Sequence, residues 1–134
     1  MRSRNPCDCA WLPELVVCFP VYKRPSAAGR HLFVVTRGPN GALAWHRQAG
    51  FVDIAAPVIS VVDTIGAGDS FQAALLFALH KQGRLGKADL PTLSQAELRR
   101  ALSFAAACAA VTCTRPGADP PRWAEMSATW DALA

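Results

Sequence analysis

The sequence predicts an α/β fold, on three observations. Strand-like and helix-like patterns alternate from His31 onward. The stretch Val61 to His80, VVDTIGAGDSFQAALLFALH, joins a β-branched run to a helical pattern through two glycines and two aspartates. A turn that follows a strand and precedes a helix is where open α/β sheets keep their ligand sites. A chain of 134 residues with 51% hydrophobic content has room for one domain with a real core.

Residues 1–30 carry four prolines, three cysteines and no sustained period of either kind. Leu15 to Phe19 suits a short strand, but the segment offers nothing to pair it with. Leu32 to Thr36 reads as a buried strand, Arg37 to Gly41 as a glycine-rich hairpin turn, and Ala42 to Arg47 as a second strand. Phe51 to Ile54 suggests a third strand, stopped by Pro57, and Val58 to Val62 leads as a buried strand into the turn Asp63 to Asp69. Phe71, Ala74, Leu75, Ala78 and Leu79 then fall on one helical face. Gly83 to Leu93 reads as a surface loop. Ser94-Gln95-Ala96-Glu97 is a capping-box pattern that starts a helix through Leu98, Leu102, Phe104, Ala105 and Cys108 to about Val111. Thr112 to Pro121 is a loop by its prolines and glycine, and Trp123, Met126, Trp130 and Leu133 share one face of a last helix.

The net charge of +4 is concentrated at the front, where residues 1–50 hold seven Lys or Arg against Asp8 and Glu14. These charges stand singly, without the run or helical stripe of a nucleic-acid surface, so an ordinary solvated surface is expected. Five cysteines without a C-x-x-C pattern argue for a reducing compartment and free thiols. His31, His46 and His80 show no ligand spacing, so no zinc site is expected. No apolar run reaches the length of a membrane span, and a cytoplasmic protein is expected.

The chemistry sits in the turn. Gly66 and Gly68 open backbone dihedrals closed to other residues and let a ligand approach the main chain. A helix that begins there points unpaired, partly positive N–H groups into the same space, which makes an anion site. A carboxylate there repels phosphate, so Asp69 makes sense as a base that takes a proton from a hydroxyl attacking a phosphorus held on those amides. The plainer alternatives are turn chemistry for the glycines and a helix cap for the aspartate.

The longer string D-T-x-G-A-G-D-S-F, Asp63 to Phe71, resembles the C-terminal signature of the ribokinase-like (PfkB) family of carbohydrate kinases and matches it at every fixed position. The continuation Gln72-Ala73-Ala74-Leu75-Leu76 looks like the fructokinase-type bacterial members. Upstream, Thr36, Gly38 and Gly41 stand where the family's T-x-G-x-x-G lines the nucleotide site. The resemblance implies the C-terminal part of a three-layer α/β/α fold over residues 31–134, with an incomplete sheet, and residues 1–30 an extension not like the family. A complete member is at least about twice as long.

The resemblance further implies transfer of the γ-phosphate of ATP to a sugar hydroxyl, fructose being the best guess. Asp69 is then the base; the amides of Gly66, Ala67 and Gly68 hold the charge on the transferred phosphoryl, and Mg²⁺ bridges the nucleotide phosphates. Thr36, Gly38, Gly41, Gly68, Asp69 and Ala106 form the nucleotide set, although Ala106 replaces a polar side chain that often meets the purine. A monovalent cation, K⁺, is expected on the Asp63 carboxylate and the carbonyls of Ile65, Thr112, Arg115 and Gly117, with Pro121 departing from the pattern at a further contact. The partners implied are ATP and a small sugar, with no nucleic acid and no membrane. Because the N-terminal half of a family member carries most sugar contacts, sugar phosphorylation by this chain alone is expected to be negligible. The alternatives are a non-catalytic nucleotide or phosphometabolite module, and a truncated product that self-associates through an exposed sheet.

Overall fold

The computed structural model describes residues 31–134, so the expected strand at Leu15 to Phe19 lies outside the described residues. Three antiparallel strands, β1 (Leu32–Thr36), β2 (Ala42–His46) and β3 (Gly50–Ile54), form a sheet in the order β1-β2-β3. Val34 pairs with Ala44, and Ala44 with Val52. Three helices follow, α1 (Ala67–Lys81), α2 (Gln95–Cys113) and α3 (Trp123–Ala132).

Alternation along each strand decides which face is buried. Ala42, Ala44, Val52 and Ile54 point into one core cluster with Phe71, Ala74, Leu75, Ala78 and Leu79 of α1 and Leu98, Ala101, Leu102 and Ala105 of α2. The α1 face expected from the periodicity is therefore the buried one. Small residues on both helices, Ala74 and Ala78 against Ala101 and Ala105, suit the close α1–α2 contact that dominates the fold. The capping box at α2 forms as expected: Glu97 N–H donates to Ser94 Oγ at 3.2 Å, and Ser94 N–H to Glu97 Oε2 at 2.8 Å. α3 docks through Trp130, whose ring meets Phe104 edge-on at 5.2 Å and lies under the Arg100 guanidinium at 4.0 Å.

α2 also closes one side of the sheet. Gln95 Nε2 donates to Phe51 O at 3.4 Å and Arg99 Nη1 to Asp53 O at 3.2 Å. Residues i and i+4 of a helix thus reach carbonyls i and i+2 of β3.

His46 is fully buried on β2 and satisfied on both ring nitrogens. Nε2 lies 2.9 Å from Leu90 O, while Nδ1 accepts from the Ala49 and Gln48 amides at 2.9 and 3.2 Å. A nitrogen that accepts two amide hydrogens carries no proton, so the other carries it: the ring is neutral and bridges the β2–β3 turn to the loop before α2. Burial pushes its pKa below the ordinary 6.5.

Five expectations need correction. Strands and helices do not alternate among the described residues, because Val58 to Val62 is not a strand: Val58, Val61 and Val62 are exposed, and the Val62 and Asp63 amides turn to Cys113 O at 2.8 and 3.2 Å. β1 is half-buried along its whole length rather than buried. β2 stops at His46, since Arg47 enters the turn. Leu93, expected on a surface loop, is fully buried, carried inward by a 3₁₀ turn over Leu90–Thr92. Thr112, expected in a loop, lies in the last turn of α2, which runs on to Cys113.

Candidate phosphoryl site at the start of α1

The turn expected to hold an anion is built by Gly66. At φ +77° and ψ 2° it occupies the left-handed region, which starts α1 without a side-chain cap. The first full helical bond runs from Ser70 N–H to Gly66 O at 2.9 Å, and Ala67 N–H bends back to Thr64 O at 3.3 Å. By helix geometry the amides of Gly68 and Asp69 precede that first bond and face out from the helix start. The Asp69 side chain stands exposed beside them. Amides with partial positive charge and a solvent-reaching carboxylate share one turn, the combination a phosphoryl acceptor and a base require.

The turn is clamped from the opposite side by the segment after α2. Asp63 accepts from Ile65 N–H on Oδ1 at 3.0 Å and from Gly117 N–H on Oδ2 at 2.9 Å. Those amide hydrogen bonds hold its pKa below the usual carboxylate range. Cys113 O takes the Val62 and Asp63 amides, and Cys113's thiol is pushed up by burial and by the Asp63 charge. A Cβ on Gly66 would fall 2.7 Å from Ala118 Cβ, so the two segments touch where glycine alone fits. Beneath the turn, Ser70 and Thr112 pair hydroxyl to hydroxyl at 2.8 Å, buried, with Thr112 Oγ1 also 3.1 Å from Cys108 O. Arg115 is itself held by Glu125 and by Asp119.

Asp63, Ile65, Thr112 and Gly117 thus come together on two segments joined through the Asp63 carboxylate. Thr36, Gly38 and Gly41 lie together at the first hairpin. Gly38 is exposed at φ +53°, in open space. Gly41, at φ +85°, packs its backbone against residues 54–56, where a Cβ would fall 1.9 Å from Ile54 O. Thr36 Oγ1 is covered and without a hydrogen-bond partner. Ala106 is buried in the core on α2. An apolar groove of about 330 Å³ opens beside the site between the three helices, lined by Ser70, Phe77, Phe104, Trp123 and Met126 among others.

Sequence reasoning missed the Ser70–Thr112 pair and the Gly66–Ala118 contact. A serine one residue past Asp69 in the first turn of α1 was the available signal for the former. The latter leaves none, since Ala118 is small and sits far along the chain.

Residues 19–125 match the model of the pfkB family carbohydrate kinase. The chain is 38% identical over 104 residues to "Probable fructokinase-7" of Arabidopsis thaliana, a stretch that covers 77% of this chain and 28% of that protein. Among solved structures, a ribokinase from Thermotoga maritima superposes with a TM-score of 0.57 at 26% identity, over 75% of this chain and 30% of that one. A fructokinase from Vibrio cholerae O395, solved with fructose, ADP and calcium ion bound, gives a TM-score of 0.52 at 31% identity, over 65% and 26%. The fold is thus that of ribokinase-like α/β kinases, of which the described residues form a partial domain. The chain spans less than a third of the length of these relatives.

Proposed function

We propose, because the chain belongs to the pfkB family of carbohydrate kinases, that its site serves ATP-dependent phosphorylation of a sugar hydroxyl, with fructose as the sugar. The observation that carries the reading is the exposed Asp69 beside the outward amides of α1's first turn. In this reading Asp69 takes the hydroxyl proton, and of the expected amides those of Gly66 and Gly68 stabilise the charge that gathers on the phosphoryl group, since the Ala67 N–H is bent back to Thr64 O. The hairpin of Thr36, Gly38 and Gly41 and the α2 residue Ala106 supply the nucleotide side. ADP and fructose in the Vibrio relative support both ligands, and the fructokinase relative supports the choice of sugar.

Mg²⁺ neutralises nucleotide phosphates in such chemistry. A monovalent cation fits the oxygen-only donor set of Asp63, Ile65, Thr112, Arg115 and Gly117, since Asp63 already ties the two segments that bear those carbonyls. Its charge would reinforce the anion site. Among the described residues Cys108 and Cys113 are free thiols, which supports a cytoplasmic setting.

The chain alone binds nucleotide weakly and turns sugar over negligibly, because it spans less than a third of its relatives. A coupled assay with ATP, Mg²⁺, K⁺ and fructose, paired with calorimetry of ADP binding, tests both parts. Turnover at ordinary kinase rates, about 1–100 s⁻¹, would overturn the proposed inactivity. ADP binding unaffected by reshaping the Gly66 turn would overturn the site. The short span also favours a second reading, a non-catalytic nucleotide or phosphometabolite module, which tight binding without turnover would support.

A further inference from the structure

The glycine turn is pinned to α2 at both of its ends. At its entry the Val62 and Asp63 amides donate to Cys113 O at 2.8 and 3.2 Å. At its exit the Ser70 and Thr112 hydroxyls meet at 2.8 Å. Thr112 and Cys113 are adjacent residues in the last turn of α2, so a single helical turn fixes both where the loop begins and where it ends.

The two pins differ in kind. Backbone atoms make the first, which any residue at 113 could supply, whereas the second needs hydroxyls at 70 and 112. With His46, Ser70 and Thr112 are the polar side chains buried among the described residues. Burying a hydroxyl costs free energy unless it is hydrogen-bonded, and each of these finds the other. Thr112 Oγ1 also lies 3.1 Å from Cys108 O, one turn back in its own helix. A hydroxyl has one proton. With that of Thr112 turned to Cys108 O, Ser70 gives its own to Thr112 Oγ1, and both hydrogens of the pair are used.

Such a bond has a direction, and that matters here. The apolar contact of α1 on α2 is non-directional, whereas a hydroxyl pair of fixed length sets the rotation of α1 about its own axis. Successive side chains of a helix stand about 100° apart around that axis. With Ser70 turned in to Thr112, Asp69 is therefore set on the exposed side, beside the Gly68 amide. A rotated first turn would carry the carboxylate and the amides off their common target.

We propose that Ser70 and Thr112 are positioning residues of the phosphoryl site, their hydroxyl pair holding the first turn of α1 in the rotation that presents Asp69 and the outward amides together. This rests on the reading of the turn as a nucleotide-phosphate site. NMR relaxation and calorimetry with ADP test it on the full chain and on Thr112→Val, Thr112→Ser and Leu98→Val. The last is a control that loosens packing at the far end of α2. In the unaltered chain the amides of residues 66–70 have order parameters of about 0.85. In Thr112→Val those of Gly66 to Asp69 fall below about 0.6, while the middles of α1 and α2 stay rigid. ADP affinity falls about tenfold in the same variant. Thr112→Ser keeps the hydroxyl, and both it and Leu98→Val retain the ordered turn and an ADP affinity within about twofold of the unaltered chain.

A turn as ordered in Thr112→Val as in the unaltered chain, equal loosening in Thr112→Ser or Leu98→Val, or ADP affinity unmoved by a loosened turn would each overturn the proposal. An unaltered chain that binds no ADP would instead sink the nucleotide reading, and the order parameters alone then decide whether the pair holds the turn. Should Thr112→Val not fold, Ser70→Ala takes its place: a loosened turn supports the proposal and an ordered one refutes it.

Discussion

Gly66→Ala separates two costs that the structure superimposes at one atom. The first is conformational: at φ +77° an L-residue sits in the left-handed region, at roughly 1–2 kcal/mol. The second is steric, because the added methyl would lie 2.7 Å from Ala118 Cβ and 3.2 Å from its Cα, and Ala118 has no torsion with which to move aside. Overpacking of this kind costs about 1–3 kcal/mol. The single variant should therefore lose about 2–5 kcal/mol of unfolding free energy. Ala118→Gly in the same background removes the closer contact but leaves the dihedral, so it should restore about 1–2 kcal/mol. Urea unfolding of the four proteins of this cycle measures the coupling directly. Additivity within about 0.5 kcal/mol, or a Gly66→Ala cost below about 1 kcal/mol, would refute the contact between the anion turn and the segment after α2.

Other perturbations report on neighbouring features. Thr112→Val leaves the buried Ser70 hydroxyl without its partner and should cost about 1–3 kcal/mol by denaturant titration, whereas Ser70→Ala with Thr112→Val should cost less than the two single changes added. The folded pKa of His46 lies below its ordinary 6.5, so the unfolded chain binds more protons in that window; melting temperature should fall as pH drops below about 6.5, level off under the folded value, and lose this dependence in His46→Gln. Asp63 is also depressed, so its contribution is complete above its ordinary 3.8 and vanishes as pH falls through the folded value; Asp63→Asn should flatten that acid limb. Asp69→Asn alters an exposed side chain and should shift stability by no more than about 0.5 kcal/mol, while calorimetry finds ADP binding unchanged or tighter once a repelling carboxylate is gone.

What the sequence disclosed and what it withheld follow from how local each determinant is. The buried face of α1, the capping box of α2 and the hairpin around Gly38–Asn40 rest on neighbours within four residues, and each appears as expected. Val58 to Val62 reads as a strand by composition, but a strand exists only through its partner, and here the Val62 and Asp63 amides find Cys113, far along the chain, instead. Leu93 was hidden for a similar reason: proline and glycine mark its loop, while burial depends on the 3₁₀ turn that swings it inward. A lone histidine gives no sign in sequence of its three hydrogen-bond partners, since two lie in a turn and one in a distant loop. At the site, glycines and aspartates announced the amides and the carboxylate. The clasp that holds them uses backbone atoms of Cys113 and Gly117, and backbone atoms look alike under every side chain.

That clasp sets an order of events during synthesis. A nascent chain that has emerged only through Lys81 contains every residue of the glycine turn but lacks Cys113, Gly117 and Ala118, which fasten it from outside α1. The glycine turn is therefore fastened only after residue 118 has left the ribosome, and a chain stalled before that point would carry the signature without the grip.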